Sequence, residues 1–263
     1  MTWAIINFSA RPGGNSDLIT RWLLKRCRAD CREPQVILAR NKPLEPCIGC
    51  MRCIFRHPGR CVQGDTLQEY LAALGGDHVF LVSPVYFLTP PAAWKQLQDR
   101  MLTFRPSLQR SPGHCGIFLA AGLPGWSVAE GLLAGMALSA GLTVSTVRTC
   151  YGPGPGQLVM EPANLEQVAR AYELVRDGRT EHVAARCDVC FSVLSDGGSG
   201  RYCGFCQAAA RADGRVHRVD TRWEPARLEE HYRRWVEATR QLYMEQRTEI
   251  RNRINTLDLP ELE

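Results

Sequence analysis

No apolar run in the 263-residue chain approaches the ~20 consecutive residues that span a bilayer, so no membrane-spanning helix is expected. The opening MTWAIINFSA has neither a basic n-region nor an apolar h-region of useful length. No secretory leader is expected, and the chain is expected in the cytoplasm. There is no Walker lysine and no GxGxxG fingerprint, so a nucleoside triphosphate or a Rossmann-bound dinucleotide fits poorly. Low-complexity tracts are missing, and the two CxxC pairs are the one internal repetition. No general acid, base or nucleophile constellation is evident. Histidine is sparse, and His57 and His114 stand singly, which suits structural roles.

Hydrophobic residues make up 45% and charged residues 22%, a composition that excludes disordered and collagen-like chains. The length suits one to two domains. The net charge is +5, and residues 181–263, with 13 Arg against 14 Asp and Glu, contribute none of the excess. The positive charge lies in residues 1–180, where an anionic ligand can use it. A nucleic-acid binder more often concentrates such charge in an appended module.

What the chain has in abundance is cysteine. Eight of its twelve thiols fall in two tight groups, at 47, 50, 53 and 61 and at 187, 190, 203 and 206. In a reducing compartment such grouping points to metal rather than to disulfides. Cys27, Cys31, Cys115 and Cys150 stand singly and are expected to be buried or partly buried small residues.

Short apolar runs at 2–8, 35–39, 78–82, 116–121 and 143–149 alternate with helical periods at 16–28, 66–74, 92–102, 127–140 and 164–176. Asp65 is placed to cap the second of these helices. The alternation predicts an α/β fold: a doubly wound, five-stranded parallel sheet of flavodoxin size, covered on both faces. Such sheets bind ligands beyond the carboxyl ends of their strands, near the switch in strand order. Two segments fall there, the 9–16 loop and Ser83-Pro84-Val85-Tyr86-Phe87. In the loop, Ser9, Arg11, Asn15 and Ser16 surround two glycines just before a helix. Backbone N–H groups, hydroxyls and a guanidinium at a helix start suit a phosphate. A Gly-Gly turn with a capping serine is the alternative. Tyr86 and Phe87, taken alone, suit core packing at a strand end.

Cys47-x2-Cys50-x2-Cys53-x7-Cys61 is the most specific motif. Three thiolates at two-residue gaps and a fourth a short loop away match four-iron ligation. Zinc more often takes two well-separated pairs. Pro46, Gly49 and Gly59 predict a compact loop without secondary structure.

With these segments assembled, residues 1–180 resemble the NAD(P)H-dependent FMN reductase family, and within it the iron–sulfur flavoprotein branch. The resemblance rests on Ser9-x-Arg11-x3-Asn15-Ser16, the Cys47–Cys61 loop, Asp65, the 83–87 segment and Lys95-x3-Asp99-Arg100. It implies FMN, with its phosphate held by Ser9, Arg11, Asn15 and Ser16 and its ring and ribityl chain by Pro84, Val85, Tyr86 and Phe87. Gly122 and Trp126, in the loop after the fourth strand, are added on a looser match. It also implies a 4Fe-4S cluster on Cys47, Cys50, Cys53 and Cys61. Family members often begin this loop Gly-Ser-Pro-Arg, where this chain has Phe8-Ser9-Ala10-Arg11. Lys95, Asp99 and Arg100 are expected to form structural ion pairs.

Residues 181–219 form an expected second unit. Cys187-x2-Cys190-x12-Cys203-x2-Cys206 can bind one metal tetrahedrally, by default zinc. The spacing also resembles a rubredoxin-like module holding one iron, although Phe191 and Gln207 stand where such modules carry glycine. Arg201, Arg211, Arg215, Arg218 and Arg222 form a local basic excess over Asp213 and Asp220, expected to be a solvated face. Residues 220–263 are expected to carry one long amphipathic helix from 225 to about 254, striped by Leu228, Tyr232, Trp235, Leu242, Ile250 and Ile254.

The leading expectation is an iron–sulfur flavoprotein oxidoreductase taking electrons from a ferredoxin-like protein or NAD(P)H, working as a homodimer or higher homo-oligomer. The alternatives are an NAD(P)H-dependent FMN or quinone reductase without a cluster, and a redox-sensing binding protein that uses the four-cysteine unit.

Overall fold

The computed structural model describes the chain except residues 105–111, 125–126, 184–185, 198–199, 210–214, 217–220, 231–232, 235–236 and 256–263. Five strands form one sheet: β1 (Trp3–Asn7), β2 (Gln35–Leu38), β3 (His78–Pro84), β4 (His114–Ala121) and β5 (Thr143–Tyr151). Every pairing is parallel and the order is β2-β1-β3-β4-β5. The order reverses between β1 and β3, so the loops leaving those two strands open onto a shared crevice.

The helices between strands are α1 (Asn15–Ala29), α2 (Arg52–Phe55), α3 (Leu67–Leu74), α4 (Ala92–Gln98), α5 (Ala129–Ser139) and α6 (Pro162–Arg176). Alternate strand residues feed two cores. Ile5, Phe80, Val82 and Phe118 pack with Ile19 and Leu23 of α1 and Val168 and Tyr172 of α6. Ile6, Leu81, Ile117 and Leu119 pack on the other face with Leu71 of α3, Leu97 of α4 and Leu133 of α5. Because both faces are covered, β1 and β3 are buried throughout and read as continuous apolar runs. Phe8, where the family often has glycine, is buried in the second core and leaves the loop after β1 clear.

The four-cysteine unit is a small antiparallel sheet, β6 (Ser195–Gly197), β7 (Gly200–Cys203) and β8 (Ala208–Ala209). Its Cys187, Cys190, Phe191, Cys203 and Cys206 belong to the same apolar cluster as α3 and α5. Contact is made over glycines of α5. A Cβ at Gly131 would lie 2.8 Å from Ser192 Oγ, and one at Gly135 would lie 2.6 Å from the Phe205 ring. Only glycine admits so close an approach. Covered by the sheet on one side and this unit on the other, α5 buries seven of its eleven residues.

The C-terminal segment is helical wherever it is described: α7 (Pro225–Glu230) and α8 (Ala238–Asn255), with wide π-type turns at Arg233, Arg234 and Glu237 between them. Wide turns of this kind shift the helical phase. Of the expected stripe, Leu242 is exposed and Ile250 half-buried. Tyr232 and Trp235, with Arg211, Arg218, Asp213 and Asp220 of the basic stretch, lie outside the described residues. Among the described residues no helix is long and apolar enough to cross a membrane.

Candidate cofactor and metal sites

Beyond the carboxyl ends of the strands lies a cleft of about 270 Å³. Ser9, Arg11, Asn15 and Ser16 approach it from the loop after β1, and Pro84, Val85 and Tyr86 from the end of β3. Gly122 borders it after β4. The structure adds a wall that the sequence motifs did not point to, Gly152 to Pro155 after β5. The signal available was the Gly-Pro alternation directly after the fifth apolar run.

Local chemistry sets this cleft up for an anion. Ser16, only 2% exposed at the start of α1, has a hydroxyl with no hydrogen-bond partner. A buried orphan hydroxyl beside free helix-terminal N–H groups is a mark of a missing polar ligand. The acidic residue in that first turn, Asp17, is occupied. It accepts hydrogen bonds from Gly13 N at 2.8 Å and Asn7 Nδ2 at 2.9 Å, and pairs with Arg40 at 2.9 Å. Its charge is thus matched by Arg40 rather than offered to the cleft. Asn15 is placed differently from a simple ligand. Its amide donates to Gly152 O at 2.7 Å and Gly154 O at 3.1 Å, and its Oδ1 accepts from Leu158 N at 3.3 Å. It is a tie between the first and fifth loops. Ser9 Oγ accepts from Arg11 N at 3.2 Å and shapes the turn.

After β3 the chain makes a hairpin turn closed by the Tyr86–Thr89 bridge. Its central residues, Phe87 and Leu88, have φ of 44° and 74°. Two successive left-handed residues are normally Asn-Gly, and bulky side chains there store strain. Phe87 is 92% exposed and stands outside the cleft lining rather than in the core. Trp126 lies outside the described residues.

The second site is the loop from Cys47 to Cys61. All four thiols line one cavity, together with Arg100. The expected irregular loop contains one helical turn, α2, which carries Cys53, entered through left-handed Gly49 and Met51. Burial pushes the Cys53 thiol up, and the neighbouring Cys61, Cys47 and Cys50 push it further. Four thiols that line one cavity can serve as metal ligands there. Arg100 supplies one positive charge. Its side chain is 1% exposed, pairs with Asp65 (11% exposed), and donates to Glu45 O at 3.1 Å. The guanidinium also bears on the Cys61 sulfur, and its buried Nε has no hydrogen-bond partner. The N-cap of α3 is Thr66 rather than Asp65; Asp65, one residue earlier, accepts from Leu67 N at 3.2 Å, and its main partner is Arg100. Lys95 and Asp99 form the expected ion pair on the surface.

The third site is a four-thiol cage. Cys187, Cys190, Cys203 and Cys206 are buried, and their sulfurs all lie within 4.8 Å of one another. The Cys190 and Cys203 sulfurs are 3.5 Å apart. Tetrahedral ligation at a Zn–S length of about 2.3 Å requires sulfurs about 3.8 Å apart. Both pairs form knuckles, with Val189 N donating to Cys187 Sγ at 3.4 Å and Cys206 N to Cys203 Sγ at 3.2 Å. Phe191 and Gln207 adopt φ of 58° and 60°, the conformation for which glycine is usual. The knuckle therefore persists without glycine. The thiols hydrogen-bond among themselves, which pushes Cys187 and Cys203 down and Cys190 and Cys206 up.

Of the single cysteines, Cys27, Cys115 and Cys150 are buried, and burial raises the Cys27 thiol to about 11 and Cys150 to about 12. Cys31 is exposed, contrary to expectation, because it follows α1 in a left-handed turn with φ of 56°. His114 is structural as expected, its Nδ1 lying 3.0 Å from Ser145 Oγ.

Residues 1–145 match the family model described as NADPH-dependent FMN reductase. The chain is 36% identical over 105 residues to an iron–sulfur flavoprotein of Methanocaldococcus jannaschii, covering 40% of this chain and 53% of that protein. It is 32% identical over 120 residues to an iron–sulfur flavoprotein of Archaeoglobus fulgidus, covering 44% and 54%. The chain thus spans about half the length of these curated relatives. A solved structure described as a flavone reductase superposes over 100% of this chain and 99% of its own, with a TM-score of 0.66 and 14% identity, which shows a shared fold. With its sheet order, its cleft and the match over residues 1–145, the chain belongs to the NADPH-dependent FMN reductase family.

Proposed function

We propose that this protein is an iron–sulfur flavoprotein oxidoreductase that holds FMN in the strand-end cleft and a 4Fe-4S cluster on Cys47, Cys50, Cys53 and Cys61. The observation that carries this is the convergence of those four thiols on one cavity that also contains a buried arginine with an unused donor. The relatives named as iron–sulfur flavoproteins support the same assignment. FMN exchanges electrons in pairs or singly, while an iron–sulfur cluster passes them one at a time.

The protein's own residues bind, orient and insulate. Ser16 Oγ and the N–H groups at the start of α1 would take the FMN phosphate, with Arg11 adding charge from the rim. Asn15 acts by holding the 152–155 wall in place, and Ser9 by shaping the turn. Pro84, Val85, Tyr86 and Gly122 would flank the ring and ribityl chain, with Val85 N fixed on Ala120 O at 2.9 Å. Phe87 and Trp126 complete the proposed set. Arg100 would offset the negative charge of the thiolates while Asp65 holds its guanidinium in position.

At the four-thiol cage, zinc is the proposed metal and a single iron the alternative, since the sulfur spacing fits either. The donor is proposed to be a ferredoxin-like protein or NAD(P)H, and the working unit a homodimer or higher homo-oligomer. Flavin, iron, acid-labile sulfide and zinc should be measured per chain after purification without oxygen. Roughly four irons and four sulfides with one flavin and one zinc are expected. Flavin without sulfide refutes the cluster, and failure to take up FMN refutes the whole assignment.

A further inference from the structure

The cluster loop has a second cavity on its outer side, where α8 crosses it. Its volume is about 530 Å³, inside the ~300–1,000 Å³ range of small-molecule sites. It shares Cys50 with the thiol cavity, so the two lie on either side of one proposed cluster ligand.

The lining has a definite chemistry. Three arginines line it, Arg52, Arg56 and Arg240, and among the described residues no acidic one does. Among the described residues, Arg52 and Arg56 are paired with no acidic side chain. Arg240 lies 4.3 Å over the Phe55 ring, so it is already stacked on an aromatic face. The walls are flat or soft: the rings of Phe55 and Tyr243 and the thioethers of Met51 and Met244. Tyr243 and Met244 are 57% and 44% exposed, large apolar surface that an isolated helix would not ordinarily present. Unpaired arginines select carboxylate, sulfonate or phosphate, often through two parallel hydrogen bonds. Aromatic rings and methionine sulfur select a planar π-system.

We propose that this cavity binds a planar aromatic anion and is where the protein exchanges single electrons with a small redox partner. This rests on the cluster assignment above. The partner class is a quinone-type aromatic carrying an acidic group. A cluster held on the four thiols would supply electrons one at a time, re-reduced between transfers by the proposed ferredoxin-like or NAD(P)H donor. The bound ring takes up two electrons in all, with two protons from water, and leaves as the hydroquinone. Cys50 forms part of the wall, so electrons need not pass through the flavin cleft to reach the ring.

The test uses anthraquinone-2-sulfonate with the full-length, cofactor-loaded protein. Binding is followed by calorimetry at two salt concentrations. Oxidation of the dithionite-reduced protein is followed through the cluster's electron paramagnetic resonance signal. Micromolar binding that weakens with salt is expected, weakened at least tenfold in R52Q/R56Q with iron and flavin contents unchanged. The M244W variant, which fills the cavity and leaves all three arginines, should also lose binding. The rate of cluster oxidation by the quinone should fall in both variants.

Wild-type protein that does not bind, or variants that bind and react like wild type, would overturn the proposal. So would a homodimer that dissociates in R52Q/R56Q, because the occupant would then be a second copy. Protein that binds the quinone but contains no sulfide would remove the cluster assignment and the electron-transfer half while leaving the anion site standing.

Discussion

Replacing Asp65 by asparagine should be among the most damaging single changes to the fold outside the two cysteine groups. The carboxylate is 11% exposed and the guanidinium it pairs with is 1% exposed. Asp65 also accepts from Glu45 N at 2.8 Å and Leu67 N at 3.2 Å, so it joins the start of the first cysteine loop to α3. Asparagine keeps an acceptor but leaves the Arg100 charge buried beside an amide. Breaking a buried pair from one side costs about 3–5 kcal/mol, a large part of the ~5–15 kcal/mol that holds a domain folded. The double variant D65N/R100M removes both charges and should cost less than the sum of the two single changes. The assay is urea unfolding followed by tryptophan fluorescence, with metal and flavin content held fixed and the urea dependence compared between variants. A D65N effect below about 0.5 kcal/mol, as at an ordinary surface site, would refute the argument, and so would strict additivity in the double variant.

The same pair sets a pH dependence. Burial alone would raise the Asp65 carboxyl, but the Arg100 guanidinium and the two backbone donors outweigh it and hold it below the usual range. A carboxylate depressed in the folded state stabilises fully above the unfolded value of about 3.9, and that contribution disappears as pH falls through the lower folded value. Wild-type stability should therefore drop below about pH 4 more steeply than that of D65N/R100M.

Three further outcomes are expected. Ser16→Ala removes a hydroxyl that has no partner within the chain, so flavin-free stability should be unchanged while FMN affinity falls by about 1.5–3 kcal/mol, read by flavin fluorescence. An equal loss of stability without loss of affinity would make the hydroxyl merely structural. F87N/L88G supplies the residues the left-handed turn favours and should raise unfolding stability by at least ~1 kcal/mol, which denaturant titration would show. Stripping the metal from the four-thiol cage with a strong chelator should loosen the 181–219 unit and increase binding of a hydrophobic dye. An unchanged dye signal after verified metal loss would show that the cage folds without it.

The sheet was legible because parallel strands covered on both faces are short unbroken apolar runs, and 78–82 is one. The thiol groups were legible because ligand spacing is a local property of sequence. Position in space is not local. Asn15 meets Gly152 across 137 residues, and Asp65 meets Arg100 across 35, so a residue chosen for its type turned out to work as a tie. Nor does a sequence advertise a left-handed Phe87 or Phe191, since propensity argues against both and the surrounding structure decides. The π-type turns at Arg233, Arg234 and Glu237 were hidden for a different reason: Arg and Glu spaced three to four apart suit helical turns of either width.

The two glycines of α5 give the molecule an unusual dependency. A helix that lies beneath the flavin sheet on one side and beneath Phe205 on the other has no face designed for water. A chain cut after residue 180 would keep every strand of the sheet and every proposed contact to FMN, yet would expose that helix. Such a fragment should aggregate rather than serve as a minimal flavin domain. Metal supply would then govern how much soluble flavoprotein a cell can accumulate, although the cage contributes no side chain to the flavin cleft.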